Sequence, residues 1–144
     1  MSDGEVNFLG QPFAHKLRIR YAECDMQGRV HNSNFQLYAD VAMDELLAAR
    51  VGHEVEFEYV VVQSTVRYLK PAHFHEVMTI LLGITHIGNT SFSTEAIGSI
   101  QGQGEVFRCK MAYVHVDIKT GKPMPIPANI SSKLKEGCIL SSAL

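Results

Sequence analysis

The sequence predicts an α+β fold: a curved antiparallel sheet wrapped around one long central helix. Three observations carry this. A short alternating strand opens the chain, a single uninterrupted amphipathic helix follows, and from residue 55 onward every periodic segment reads as strand. With 144 residues the chain fits one domain and can remove roughly 68–70% of its unfolded surface from water. Residues 1–14 read as a flexible N-terminus, 15–128 as the folded domain, and 129–144 as a C-terminal tail with room for a short helix.

Residues 15–21 alternate Leu17, Ile19 and Tyr21 with Lys16, Arg18 and Arg20, the period of a half-buried strand with a basic, wet face. Gly28 permits a tight turn, and Ser33 with Gln36 three places on has the spacing of a capping box, so a helix should begin near Asn34. Between Asn34 and Arg50 there is neither Gly nor Pro. Gln36, Asp40 and Asp44 form one narrow polar stripe, and apolar residues cover most of the remaining circumference. A helix of this kind should be wrapped on several sides by other structure, which leaves Glu45, on the apolar side, to be explained only as a polar contact or an active-site neighbour. Val51 and Gly52 suit a left-handed cap at its end.

Strand-like runs cover residues 55–69, 77–84, 91–100 and 106–118, separated by turn signals such as Lys70-Pro71-Ala72, Ile87-Gly88-Asn89 and Gln101-Gly102-Gln103-Gly104. In the first run the apolar phase switches near Val60 to Val62, which predicts a bulge. One sheet and one helix leave two sheet edges to protect, and edge-to-edge dimerisation would protect them.

Composition narrows the function. A hydrophobic fraction of 46% against 19% charged is that of a globular protein and excludes a disordered or fibrous one. A net charge of -2 offers no field for a nucleic-acid backbone. Cys24, Cys109 and Cys138 are odd in number and far apart, which suggests neither a disulfide framework nor a zinc knuckle and fits a reducing, cytoplasmic setting. No run of about 18 apolar residues exists to span a membrane.

The run Asp25-Met26-Gln27-Gly28-Arg29-Val30-His31-Asn32-Ser33-Asn34-Phe35, between a strand and a helix, carries a resemblance. It is similar to the signature of the hotdog-fold acyl-CoA thioesterases, the 4-hydroxybenzoyl-CoA thioesterase-like family. Ser64-Thr65-Val66-Arg67-Tyr68-Leu69-Lys70-Pro71-Ala72, Gly88-Asn89-Thr90-Ser91-Phe92 and Lys119-Thr120-Gly121-Lys122-Pro123 resemble later motifs of the same family, in order. The resemblance implies a hotdog fold, homodimers or tetramers with active sites between protomers, and hydrolysis of a thioester of coenzyme A or an acyl carrier protein. It puts Asp25 at the catalytic carboxylate and the backbone N–H of Asn32 at the thioester carbonyl. It also implies an orienting role for Tyr21 and puts Arg67, Lys70 and Ser91 along the nucleotide, while the chemistry of His31 suits a general acid or a substrate contact. Some relatives carry His where this chain has Asn32, and many have Glu where it has Asp40.

The chemistry of these residue types agrees. Thioester hydrolysis needs a nucleophile, or a base for water, and a stabiliser for the oxygen that becomes negative. Asp25 can attack the carbonyl or activate water, and the start of the helix presents unpaired N–H groups and a positive dipole end. Each residue also has a plainer reading: Asp25 as a turn residue, His31 as a surface turn histidine, Asn32 as a helix-start residue, Tyr21 as a packed strand residue. Phe35, Tyr38 and Tyr59 are candidates to line an acyl pocket and would serve equally as core. No cofactor is expected. His73 and His75 lack a third ligand for zinc, and strand alternation turns Cys24 away from Asp25. The rival readings are a carrier-protein thioesterase, a non-catalytic acyl-CoA binder and, last, a hydratase of the same fold.

Overall fold

The computed structural model describes residues 4–136. Its elements run β1 (Phe13–Arg18), a 3-10 turn at Tyr21–Glu23, α1 (Ser33–Arg50), β2 (Tyr59–Tyr68), β3 (Val77–Ile87), β4 (Ser91–Ile100), β5 (Gly104–His115) and α2 (Ala128–Lys135). The strands form one antiparallel sheet in the order β1-β3-β4-β5-β2. Alternate residues of the central strands, among them Met78, Ile80 and Leu82, Phe92 and Ala96, and Phe107, Met111 and Tyr113, are buried. They share one core with Phe35, Tyr38, Ala42, Met43 and Leu46 of α1. Each large side chain removed from water there contributes about 1.5–3 kcal/mol, so the helix lies where its apolar stripe directs it.

Several local expectations hold. Gly52 takes φ +99° and its N–H bonds to Leu47 O at 2.9 Å, the left-handed helix cap. The β2–β5 register slips between Val61 and Gln63, the bulge that the phase switch requires. Residues 101–104 make the β4–β5 hairpin.

Others are corrected. Tyr21 does not continue the first strand; it sits in the 3-10 turn, 76% exposed, because the Glu23 side chain bonds back to Arg20 and curls the chain. The capping box does not form. Asn32 is the cap residue and its backbone is already helical (φ -53°, ψ -37°), without the extended geometry that lets a cap side chain reach forward. Gln36 instead accepts a hydrogen bond from Ser64 Oγ at 3.0 Å. The helix is not wrapped all round: Leu37, Val41, Asp44 and Glu45 are exposed, since one sheet covers one side only. Glu45 therefore faces solvent. Over residues 4–12 the segment before β1 lies in contact with the sheet. Leu9 N–H bonds to Ile84 O at 2.7 Å, the Phe8 ring occupies the space left by the missing side chain of Gly83, and Arg108 holds Gly4 O at 3.1 Å. The short helix α2 belongs to the domain, burying Ile130 and Leu134. Arg50 joins these pieces, donating to Leu134 O at 2.7 Å and Gln11 O at 2.6 Å. Cys138 lies outside the described residues. No helix among them is long and apolar enough to cross a membrane.

Candidate active site

The join between β1 and α1 is organised by Glu23, which the sequence reading did not single out. Its carboxylate accepts hydrogen bonds from the Arg20 backbone N–H (2.9 Å), from Arg20 Nε (2.9 Å) and from the Tyr38 hydroxyl (2.9 Å). Its carbonyl oxygen accepts from the His31 N–H (3.0 Å) and Asn34 Nδ2 (2.9 Å). One residue thus ties the end of the first strand, the turn and the start of the helix. Burial pushes the Glu23 carboxyl up, but the bonds from Arg20 and Tyr38 outweigh it and hold the group below the usual glutamate value. The Tyr38 hydroxyl is pushed far above its ordinary value, by burial and then by Glu23. The signal in the sequence was the Arg20-x-x-Glu23 spacing, which is common and therefore uninformative alone.

Above Glu23 the chain makes a tight hairpin closed by the Cys24–Val30 bridge. Asp25 N–H donates to Arg29 O (2.8 Å), Gly28 N–H donates to Asp25 O (3.0 Å), and Gly28 adopts the φ +78° that the turn requires. Asp25 Oδ1 accepts from the N–H groups of Gln27 (2.8 Å) and Arg29 (3.1 Å). Among the described residues Oδ2 has no hydrogen-bond partner. The amides of Arg29 and Gln27 hold this carboxyl below the usual aspartate value, and His31 is near enough to favour its charged form further. The hairpin is docked on the segment before β3 by Val30 N–H to Ala72 O (2.8 Å) and Phe74 N–H to Gly28 O (2.9 Å). Asn32 follows directly, and its N–H makes no hydrogen bond among the described residues, as befits the start of a helix.

Asp25, His31 and Asn32 therefore share one loop, with Tyr38 beneath it through Glu23. Other candidates lie elsewhere. Tyr21 packs edge-to-face on Phe74 at 5.7 Å, and among the described residues its hydroxyl makes no hydrogen bond to Asp25. Phe35 is core, stacked on Phe107 at 5.0 Å. Tyr59 meets Tyr113 at 5.2 Å, and burial first, then Asp44 and Asp40, pushes its hydroxyl up to about 12. Lys70 donates to Gln103 O, at the same end of the sheet as the Asp25 hairpin. Arg67 and Ser91 do not converge: Arg67 is level with Arg108 on β5 and Ser91 with Val114, six residues on, roughly 20 Å away. Cys24 Sγ contacts Arg20 O at 3.6 Å, and burial pushes its thiol up. His73 Nδ1 lies 3.5 Å from Glu76, and no cluster of three metal-ligating side chains exists among the described residues. A groove of about 540 Å³ runs between α1 and β2, lined by Asp40, Val41, Asp44, Leu47, Phe57 and Tyr59. Burial raises the Asp40 carboxyl within it.

Residues 19–134 match the thioesterase-like superfamily, and the chain belongs to that superfamily of thioester hydrolases. Over 130 residues it is 25% identical to a protein of Aquifex aeolicus (strain VF5) provisionally named an esterase, across 87% of this chain and 99% of that one. A 1,4-dihydroxy-2-naphthoyl-CoA thioesterase from Synechocystis superposes with a TM-score of 0.76 at 18% identity, covering 85% of this chain and 95% of the other. A Staphylococcus aureus protein solved in complex with CoA superposes with a TM-score of 0.77 at 12% identity, covering 98% and 94%. The fold is the hotdog, a curved antiparallel sheet packed on one main helix.

Proposed function

We propose that the protein hydrolyses acyl-CoA thioesters, with Asp25 as the nucleophile and the Asn32 N–H as the oxyanion donor. The observation that carries this reading is the one-sided ligation of Asp25: two amides fix Oδ1, and Oδ2 is left without a partner among the described residues. A carboxyl held ionised by amides is a weak base, which favours attack over proton abstraction. In this scheme Oδ2 attacks the thioester carbonyl carbon, and the oxygen gains charge against the Asn32 N–H and the helix dipole. Collapse breaks the C–S bond, the thiolate leaves and takes a proton from His31, and a mixed anhydride remains on Asp25. Water then attacks the anhydride and passes a proton to His31, releasing the acid and restoring both the Asp25 carboxylate and protonated His31.

The edges of the sheet support a dimer through β2. Strand β1 exposes Lys16 and Arg18, a protected edge, whereas β2 exposes Val60, Val61 and Val62 beside Leu37 and Val41 of α1. Pairing β2 antiparallel with its copy brings Glu54, Glu56 and Glu58 of one subunit towards Arg67 and Lys70 of the other.

The test is thiol release from short, medium, long and aromatic acyl-CoA by the native protein and by Asp25→Asn. A loss of about 10²–10⁴ in kcat is expected for removal of the attacking group. Because the Asp25 carboxyl is depressed, the acid-side fall of native kcat/KM that comes from its protonation should set in below the ordinary aspartate value rather than at it. Undiminished turnover in Asp25→Asn would dismiss the assignment.

A further inference from the structure

We infer that Glu76, braced by Gln103 of the β4–β5 turn, is a positioning residue for Asp25: it fixes the loop of residues 72–76 on which the Asp25 hairpin is docked, and so sets the angle at which the carboxylate meets the thioester. This rests on the hydrolase reading of Asp25 and adds to it two residues that act on the reaction only through the backbone.

Every polar group of Glu76 is engaged. Its N–H donates to His73 O at 3.2 Å, its carbonyl oxygen accepts from Ile19 N–H at 2.9 Å, and its carboxylate accepts from His73 N–H at 2.6 Å and from Gln103 Nε2 at 2.5 Å. Glu76 and His73 are thus bonded reciprocally, which closes the loop on itself. Gln103 is held in turn: its N–H donates to Ile100 O at 2.9 Å, and its carbonyl oxygen accepts from Lys70 Nζ. The brace therefore reaches from Ile19, past the end of β1, through the loop to the β4–β5 hairpin.

The loop carries the Asp25 hairpin as a strand carries its neighbour. Arg29 pairs with His73 in an antiparallel bridge, flanked by Val30 N–H to Ala72 O at 2.8 Å and Phe74 N–H to Gly28 O at 2.9 Å. With its backbone clamped on both sides, Arg29 turns its own N–H to Asp25 Oδ1 at 3.1 Å. His75 takes φ +77°, a conformation that an L side chain rarely adopts, with Arg18 Nη1 donating to its carbonyl oxygen at 2.8 Å and its own N–H donating to Ile19 O at 3.2 Å. Such strain persists only where the surroundings over-determine the backbone, and Glu76, next in sequence, supplies much of that restraint. Loss of its side chain should therefore shift the loop, and the hairpin with it.

Charge and geometry act on Asp25 in opposite directions, which separates positioning from a plain electrostatic effect. The charged and titratable groups on the elements around Asp25 are Arg20, paired with Glu23, and Cys24 before it, Tyr38 beneath Glu23, Arg29 and His31 after it, and His73 and Glu76 on the loop. Removing the negative charge of Glu76 by itself would make Asp25 easier to ionise. Losing the Arg29 amide, the foremost cause of its depression, would make it harder.

The test uses Glu76→Ala, Glu76→Gln and Gln103→Ala with an acyl-CoA that the native protein cleaves. In Glu76→Gln the side-chain oxygen still accepts from His73 N–H, and the new amide donates to the oxygen of a rotated Gln103 side chain, so the brace survives while the charge goes. Glu76→Ala should lower kcat by about 10–100-fold, within what a displacement of about 1 Å can cost, with KM within about twofold. It should also move the acid-side fall of kcat/KM upward in pH, toward the ordinary aspartate value. Gln103→Ala should move both readouts the same way, by about three- to tenfold in kcat, and Glu76→Gln should stay within about threefold of native. If Glu76→Ala does not fold, judged by far-UV circular dichroism, Gln103→Ala carries the test. Titration of the Asp25 carboxyl carbon by NMR reads the same upward shift without turnover. A native protein that cleaves no thioester would thus end the hydrolase reading, and the NMR titration would still decide the positioning. Unchanged kcat and Asp25 titration in the two alanine variants, an acid limb that moves down, an equal loss in Glu76→Gln, or a loss confined to KM would each overturn the inference.

Discussion

Tyr38→Phe tests whether Glu23 is the anchor of the site. Tyr38 is 2% exposed, and its hydroxyl donates to Glu23 Oε1 at 2.9 Å. Phenylalanine keeps the ring against Phe35, 6.2 Å away, and removes only that bond. Hydrogen bonds to charged groups are worth about 1.5–3 kcal/mol, and because Arg20 still holds the carboxylate, about 1.5–2 kcal/mol is expected. In a domain of this size that lowers Tm by about 5–8 °C at neutral pH. The bond favours ionised Glu23, whose folded-state pKa lies below the ordinary 4.5. Its contribution is therefore fully present above that value and lost as pH falls through the folded value, so the Tm gap between native and variant should close in acid. Glu23 also carries the His31 N–H and the Asn34 side chain, so kcat should fall, by less than the roughly hundredfold that a displacement of about 1 Å can cost. Thermal denaturation at several pH values, with Glu23→Gln completing a double-mutant cycle, makes the check. Coupling of about 0.5–3 kcal/mol is expected for residues in contact. A Tm change under about 1 °C at pH 7, or additive single effects, would refute the reasoning.

Two more perturbations follow from the packing. In Gly98→Ala the new methyl would lie 2.1 Å from Phe107 Cε1 and 2.7 Å from Met78 Sδ, overpacking that should cost about 1–3 kcal/mol in thermal denaturation. Since Phe107 stacks on Phe35, three residues from Asn32, thiol release should slow as well. Val62→Lys puts a cation on the exposed bulge of β2. If β2 forms the proposed dimer, the native protein should sediment as a dimer and the variant as a monomer with unchanged far-UV circular dichroism; a variant that still dimerises would refute the β2 interface.

The parts of the fold legible in the sequence were those set by short-range geometry. The bulge at Val61 and Gln63 showed as a switch of apolar parity, and the helix end at Gly52 showed because only glycine takes φ +99° without strain. The cap of α1, unlike its position, was misread because Ser33 and Gln36 satisfy the capping-box spacing, while the backbone of Asn32 is already helical. Asp25 and the helix start were legible through their order along the chain. Glu23 was not, because what makes it an anchor is the arrival of Tyr38 and Asn34, 15 and 11 residues away, and no local pattern encodes that meeting.

The misjudged surroundings of α1 point the same way as the exposed β2 edge. The apolar circumference demanded cover on several sides, and within one chain Leu37 and Val41 remain uncovered, next to Val61 and a groove with acidic Asp40 and Asp44 in its wall. A lone domain has no reason to leave aliphatic residues on the helix and on the adjoining edge strand open together, since each exposed site forfeits about 25 cal/mol per Å² of apolar surface. Selection on a monomer would favour polar replacements there, as β1 shows with Lys16 and Arg18 on its own edge. The sequence pattern is therefore the one expected if the cover of the helix is divided between its own sheet and the second copy proposed above.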